Sequence, residues 1–117
     1  PEQIKQTGIV KTGEYRHEDF VREVQMCLRA GIDGKSGPQT LSKTVTISRV
    51  KNSKHNVVLP LQKLLRQCGY YTGELDKSAG PRFDTAVRTY QARIVELNRP
   101  DGEITAKGRT WRAMLKM

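Results

Sequence analysis

The stretch from Leu61 to Gln91, LQKLLRQCGYYTGELDKSAGPRFDTAVRTYQ, has a shorter echo between Val24 and Leu41, VQMCLRAGIDGKSGPQTL. This near-repeat limits the folds open to the chain more than any other feature. Val24-Gln25 aligns with Leu61-Gln62 and Leu28-Arg29 with Leu65-Arg66, at a shift of 37 positions. Ile32-Asp33 aligns with Leu75-Asp76 and Gly37-Pro38 with Gly80-Pro81, at a shift of 43. The second unit therefore carries six extra residues around Tyr70-Tyr71-Thr72-Gly73-Glu74, between the end of one helix and an apolar-Asp step. Two copies of one helix-turn-helix unit, the second with a longer turn, explain the echo economically.

Hydrophobic spacing makes the units helical. Phe20, Val24, Cys27 and Leu28 follow one another at helical intervals, with Asp19 placed to cap the start and Gly31 to stop the helix. Pro38 suits the first turn of a second helix, where its missing amide is not needed. That helix is expected to continue toward Val50, although the β-branched run Thr44–Val50 has an extended alternative. Leu61, Leu64, Leu65 and Cys68 mark a third helix ending at Gly69. Phe83, Ala86, Val87, Tyr90, Ile94 and Leu97 predict about four turns from Pro81, and Trp111, Met114 and Leu115 a short last helix. The fold class expected is all-α, a small bundle of five or six short helices. Residues 1–18 read as a linker or arm, 19–56 as a first, shortened repeat and 57–117 as a second, packed together as one unit.

Length and charge bound the rest. A chain of 117 residues should bury roughly two-thirds of its unfolded surface, enough for one core. Net charge is +9, with ten basic and six acidic residues up to Val58 and eleven and six after it, so no basic tail accounts for it. Such a field suits polyanionic partners without choosing among them. No apolar run approaches the ~20 residues of a membrane span, and PEQIKQTGIVKTGEYRHEDF lacks the plan of a signal peptide. Any export signal is expected outside this segment. Cys27 and Cys68 both fall on apolar faces and read as buried free thiols, with a single bridge as the alternative.

The second unit resembles the bacterial peptidoglycan-binding domain family. The residues that carry the likeness are Leu61-Gln62, Gly69 to Gly73, Leu75-Asp76, Gly80-Pro81, Ala86-Val87 with Tyr90-Gln91, Asp101-Gly102 and Thr110-Trp111. The match spans roughly 57–117. The earlier unit keeps Gln25, Ile32-Asp33-Gly34 and Gly37-Pro38-Gln39-Thr40. In the departures, Lys77 stands for Gly, Phe83 for Thr, and Lys43-Thr44 and Ile47-Ser48 for Ala-Val and Phe-Gln. The resemblance implies a non-catalytic module that holds a wall hydrolase, attached or partnered, on peptidoglycan. It also implies a bacterial cell-wall location, extracellular or periplasmic, or release at lysis if phage-encoded. A monomer without cofactors is expected, with peptidoglycan or an anionic wall polymer as partner and neither membrane nor nucleic acid.

Residue chemistry is consistent with binding. Asp33, Gly37, Pro38, Gly73, Asp76, Gly80 and Pro81 read as turn residues, Asp by bonding backbone amides and Gly73 by tolerating positive φ. Tyr70 and Tyr71 are neighbours on the longer turn, so one should anchor it and the other stay free for a ligand. Arg66, Arg82 and Arg88 lie off the apolar stripes and can fork onto carboxylates. His17 and His55 lack metal-pair spacing and the cysteines form no Cys-x-x-Cys pair, so no metal or catalytic site is expected. Two rivals remain at this level: a basic helical nucleic-acid-binding module, and a protein-interaction module that keeps the fold without binding wall.

Overall fold

A computed structural model describes residues 15–117; positions 1–14 of the expected arm lie outside the described residues. The chain runs through α1 (His17–Leu28), α2 (Pro38–Ser42), α3 (Val58–Gln67), α4 (Pro81–Tyr90) and α5 (Arg109–Leu115), with a π-helical turn (Gln91–Val95) prolonging α4. Among the described residues the only β pairing is an isolated antiparallel bridge, Ile47 with Ile104. The molecule is an all-α bundle, as the periodicity predicts.

Helix ends obey local chemistry, with some corrections to the sequence expectation. α1 begins two residues before Asp19, because that aspartate is not the cap itself. It occupies the third helical position and accepts the Arg16 amide at 3.1 Å, one half of a capping box. α3 ends into Gly69 at φ 86°, the left-handed conformation that glycine adopts without a Cβ penalty.

α2 stops at Ser42 rather than reaching Val50. The β-branched run turns extended, the alternative its rotamer stiffness allowed. It gains partners that a helix would deny it. Ile47 exchanges both backbone bonds with Ile104 (3.0 and 2.8 Å), and the Thr44 and Thr46 hydroxyls accept the Lys107 and Ala106 amides (2.8 and 3.0 Å). Trp111 Nε1 donates to the Val45 carbonyl at 2.8 Å. These bonds fasten the middle of the chain along its last turn.

The core draws on every long helix: Phe20 and Val24 from α1, Leu61 and Leu65 from α3, Phe83 and Val87 from α4, and Trp111 and Leu115 from α5 are all fully buried. Each such side chain contributes on the order of 1.5–3 kcal/mol by leaving water. The expected four-turn helix after Pro81 is instead interrupted. The π turn adds a residue to the hydrogen-bonded ring and rotates the residues beyond it out of register. Ile94, expected inside, is therefore 50% exposed, while Gln91 is 1% exposed. Cys68 also departs from expectation, being exposed rather than buried; Cys27 is half-buried, and both thiols are free.

Candidate functional site

Three buried glutamines organise the turns, and their amides make closely similar sets of bonds. Gln25 Nε2 lies within bonding distance of Asp33 Oδ1 (3.0 Å), the Lys35 carbonyl (3.1 Å) and Thr40 Oγ1 (2.9 Å), while its Oε1 accepts the Asp33 and Gly34 amides. Gln91 Nε2 does the same with Asp101 Oδ1, the Glu103 carbonyl and Thr110 Oγ1 (3.0, 2.9 and 3.2 Å), and its Oε1 accepts the Asp101 and Gly102 amides. Gln62 Nε2 meets Asp76 Oδ1 (3.0 Å) and the Ser78 carbonyl (3.1 Å), and its Oε1 accepts the Lys77 amide. Each aspartate in turn accepts the amide two residues on: Lys35, Ser78 and Glu103, at 2.9, 3.0 and 2.9 Å. A side-chain amide has the donors and acceptor of a peptide unit, so each glutamine bridges a helix to the backbone of the turn beyond it.

The second lock differs at one partner. Where Thr40 and Thr110 supply a hydroxyl, the corresponding residue is Phe83, and the acceptor is instead Tyr71, whose hydroxyl receives Gln62 Nε2 at 3.1 Å and donates to the Glu74 carbonyl at 2.5 Å. Tyr71 is 6% exposed and packs edge-on to Phe83, with ring centroids 6.4 Å apart and planes at 76°. Burial raises its pKa, with Asp76 adding to the rise, while the bond from Gln62 and the nearby Arg66 and Arg82 guanidinium groups oppose it. Tyr71 is thus the tyrosine that anchors the longer turn.

Gly73 serves that anchor in a way the sequence pattern does not foretell. It does not take positive φ; instead a Cβ there would lie 2.7 Å from the Tyr71 hydroxyl. The left-handed residue of each turn is the one after aspartate: Gly34 at φ 74°, Gly102 at 74° and Lys77 at 63°. Lysine therefore holds a conformation that costs a β-carbon-bearing residue roughly 1–2 kcal/mol.

With Tyr71 turned inward, Tyr70 is half-buried on the outer side of the turn. It lines a cleft of about 210 Å³ with Thr72, Pro81, Arg82 and Thr85, between the longer turn and the first turns of α4. Arg82 is exposed there, and Arg66 is exposed in the last turn of α3. Arg88 is engaged elsewhere: its Nε donates to Asp84 Oδ2 at 2.9 Å and its Nη1 to the Pro100 carbonyl at 3.0 Å. Of the five residues singled out as ligand contacts, the cleft gathers Tyr70 and Arg82. Arg66 is not among the residues that line it, and Tyr71 and Arg88 are committed to the fold.

The role of the three glutamines is not legible from any local pattern. The signal was present as a recurring Gln, Asp and Thr at intervals that differ from turn to turn, and the substitution of Tyr71 for threonine hid the second instance. Among the described residues, no group of three or more His, Cys, Asp or Glu could hold a metal ion, and no helix is long and apolar enough to cross a membrane.

Comparison with known proteins decides the affiliation. The family model described as "Putative peptidoglycan binding domain" matches residues 54–114, more than half of the chain, and takes in α3, the longer turn, α4 and nearly all of α5. The chain belongs to the peptidoglycan-binding domain family. No curated protein and no solved structure matches it. Membership gives this domain a peptidoglycan-binding role and an association with the cell wall, and the cleft beside Tyr70 lies wholly inside the matched span.

Proposed function

We propose that this domain is a non-catalytic anchor that holds a cell-wall hydrolase, attached or partnered, on peptidoglycan outside the cytoplasm. The observation that carries this reading is the family match over 54–114, within which the longer turn forms a cleft. Tethering raises the concentration of a catalytic unit at an insoluble substrate without any new catalytic contact. The diffuse +9 charge adds attraction toward the anionic polymers of a wall.

In this reading the chain acts as a monomer and residues 19–56 are a shortened copy of the unit at 57–117, packed with it as a single body. The shared bonding of Gln25 and Gln62 to an aspartate and a backbone carbonyl supports the copy. The first copy serves as a structural buttress, because its turn is too short to raise a cleft of this kind.

Co-sedimentation with purified insoluble sacculi, run beside DNA-cellulose at two salt concentrations, tests the proposal. The domain is expected to pellet with sacculi. Recovery of all of it in the supernatant, or retention on DNA alone with steep salt dependence, overturns the reading.

A further inference from the structure

The cleft beside Tyr70 is charged in one sense only. Arg82 is the sole ionic group among its lining residues, and the other polar groups are the hydroxyls of Tyr70, Thr72 and Thr85. Of the acids on the longer turn and α4, Asp76 accepts the Gln62 side-chain amide and the Ser78 amide, Asp84 is bonded to Arg88, and Glu74 is exposed and does not line the cleft. Among the described residues neither Arg66 nor Arg82 pairs with a carboxylate. Arg82 lines the cleft and Arg66 is exposed in the last turn of α3, and the positive charge of both opposes the rise in the Tyr71 pKa.

Resting on the wall-binding reading above, we propose that this cleft recognises the free carboxylate of peptidoglycan stem peptides, with Arg82 as its counter-ion and Tyr70 as the apolar wall beside it. A guanidinium presents parallel N–H donors that match a carboxylate, and such a charge-assisted pair gains strength where part of the site is shielded from water. The volume, about 210 Å³, suits one small amino-acid residue rather than a run of sugars. A glycan strand would be served better by a row of exposed aromatic faces, since sugar rings pack their apolar faces on such platforms, and here a single half-buried tyrosine is present. The Thr72 and Thr85 hydroxyls can bond the peptide groups that precede the carboxylate. Arg66 extends the positive edge toward α3 and makes the approach favourable for an anionic chain end.

The test uses the whole chain and four preparations of sacculi, all freed of phosphate-bearing wall polymers except where stated. They are untreated sacculi, sacculi with peptide carboxylates converted to amides by carbodiimide and ammonia, sacculi stripped of stem peptides so that only glycan remains, and sacculi that keep their phosphate polymers. Binding is expected to untreated sacculi, with at least about tenfold weaker affinity for the amidated and stripped preparations, the loss that one charge-assisted bond to an ion accounts for. Arg82→Ala should fall by a similar factor on untreated sacculi, and Arg82→Lys should recover part of the loss, with unchanged circular dichroism in both. Equal binding to amidated and untreated sacculi overturns the carboxylate assignment and leaves the wall-binding reading in place. So does full binding to glycan alone, or binding only where phosphate polymers remain. Failure to bind every preparation overturns the underlying reading itself.

Discussion

The turn after α1 and the turn after α3 are built on one lock and finished differently. In both, a buried glutamine holds an aspartate and a backbone carbonyl, and the residue after aspartate is left-handed. The first turn closes in the fewest residues and takes its hydroxyl from Thr40. The second takes six more residues between its glutamine and its aspartate and draws Tyr71 from among them. Extra length alone would add a floppy loop at a modest entropic cost. Here it is pinned by its own buried ring, so the neighbouring Tyr70 is held against α4 and a cleft results. The difference between the two turns is that the longer one carries its own buried anchor and forms a cleft beside it.

Removing the glutamines should have the largest effect on both turns. Gln25→Ala and Gln62→Ala each strip a fully buried group of all its bonds and strand the turn backbone, so each should cost roughly 2–4 kcal/mol in urea unfolding. Their effects on wall binding should part. Below the unfolding transition, Gln62→Ala is expected to lose sacculus binding with the cleft, and Gln25→Ala to keep it. Equal loss of binding in both would mean that the two turns are not functionally distinct.

A smaller pair asks whether Tyr71 takes the place of Thr40. Tyr71→Phe and Thr40→Val each delete one hydroxyl from a buried lock, and each should destabilise by about 1–2 kcal/mol. Tyr71→Ala would cost far more because the ring is core, so it cannot report on ligand contact. Tyr70→Ala is the informative partner: its circular dichroism should be unchanged and its sacculus binding weaker.

Much of this was legible in the sequence. Helix number, the stop at Gly69 and the extra residues of the second turn are set by spacing and by glycine and proline chemistry. What stayed hidden depended on contacts between distant residues. The stretch Thr44–Val50 is read as helix by its flanks, but its true partners are about sixty positions away, at Ile104 to Lys107. Ile94 fits a 3.6-residue period from Pro81 until the π turn shifts the register. Which of two adjacent tyrosines faces inward is set by Gln62 and Phe83, and no local pattern encodes that choice. The residues of the cleft were nominated individually by type, whereas the commitment of Arg88 to Asp84 and Pro100 could be seen only in three dimensions.

Two smaller effects are expected at the residue after aspartate and at the aspartates themselves. Lys77→Gly should bring the second turn closer to the first and raise stability by up to about 1 kcal/mol, because the left-handed strain relieved exceeds the entropy that glycine adds to the unfolded chain. Acid titration reports on both locks at once. Asp33 is held below the ordinary carboxylate range chiefly by the Lys35 amide, and Asp76 chiefly by the Gln62 side chain. A carboxylate with a lowered folded pKa contributes stability that is complete above the unfolded value near 3.8 and is lost as pH falls through the folded value. Wild type should therefore weaken below about pH 4, and Asp33→Asn and Asp76→Asn should each flatten that slope, as read by thermal melts between about pH 2 and 5.

The most direct test of the central claim is a map of amide and arginine side-chain NMR shifts as a soluble muropeptide with a free stem-peptide carboxylate is titrated into the chain. The largest changes are expected at Tyr70, Thr72, Arg82 and Thr85, with the turn from Arg29 to Gly37 unchanged. Changes centred on that shorter turn, or spread evenly over both, would contradict the claim.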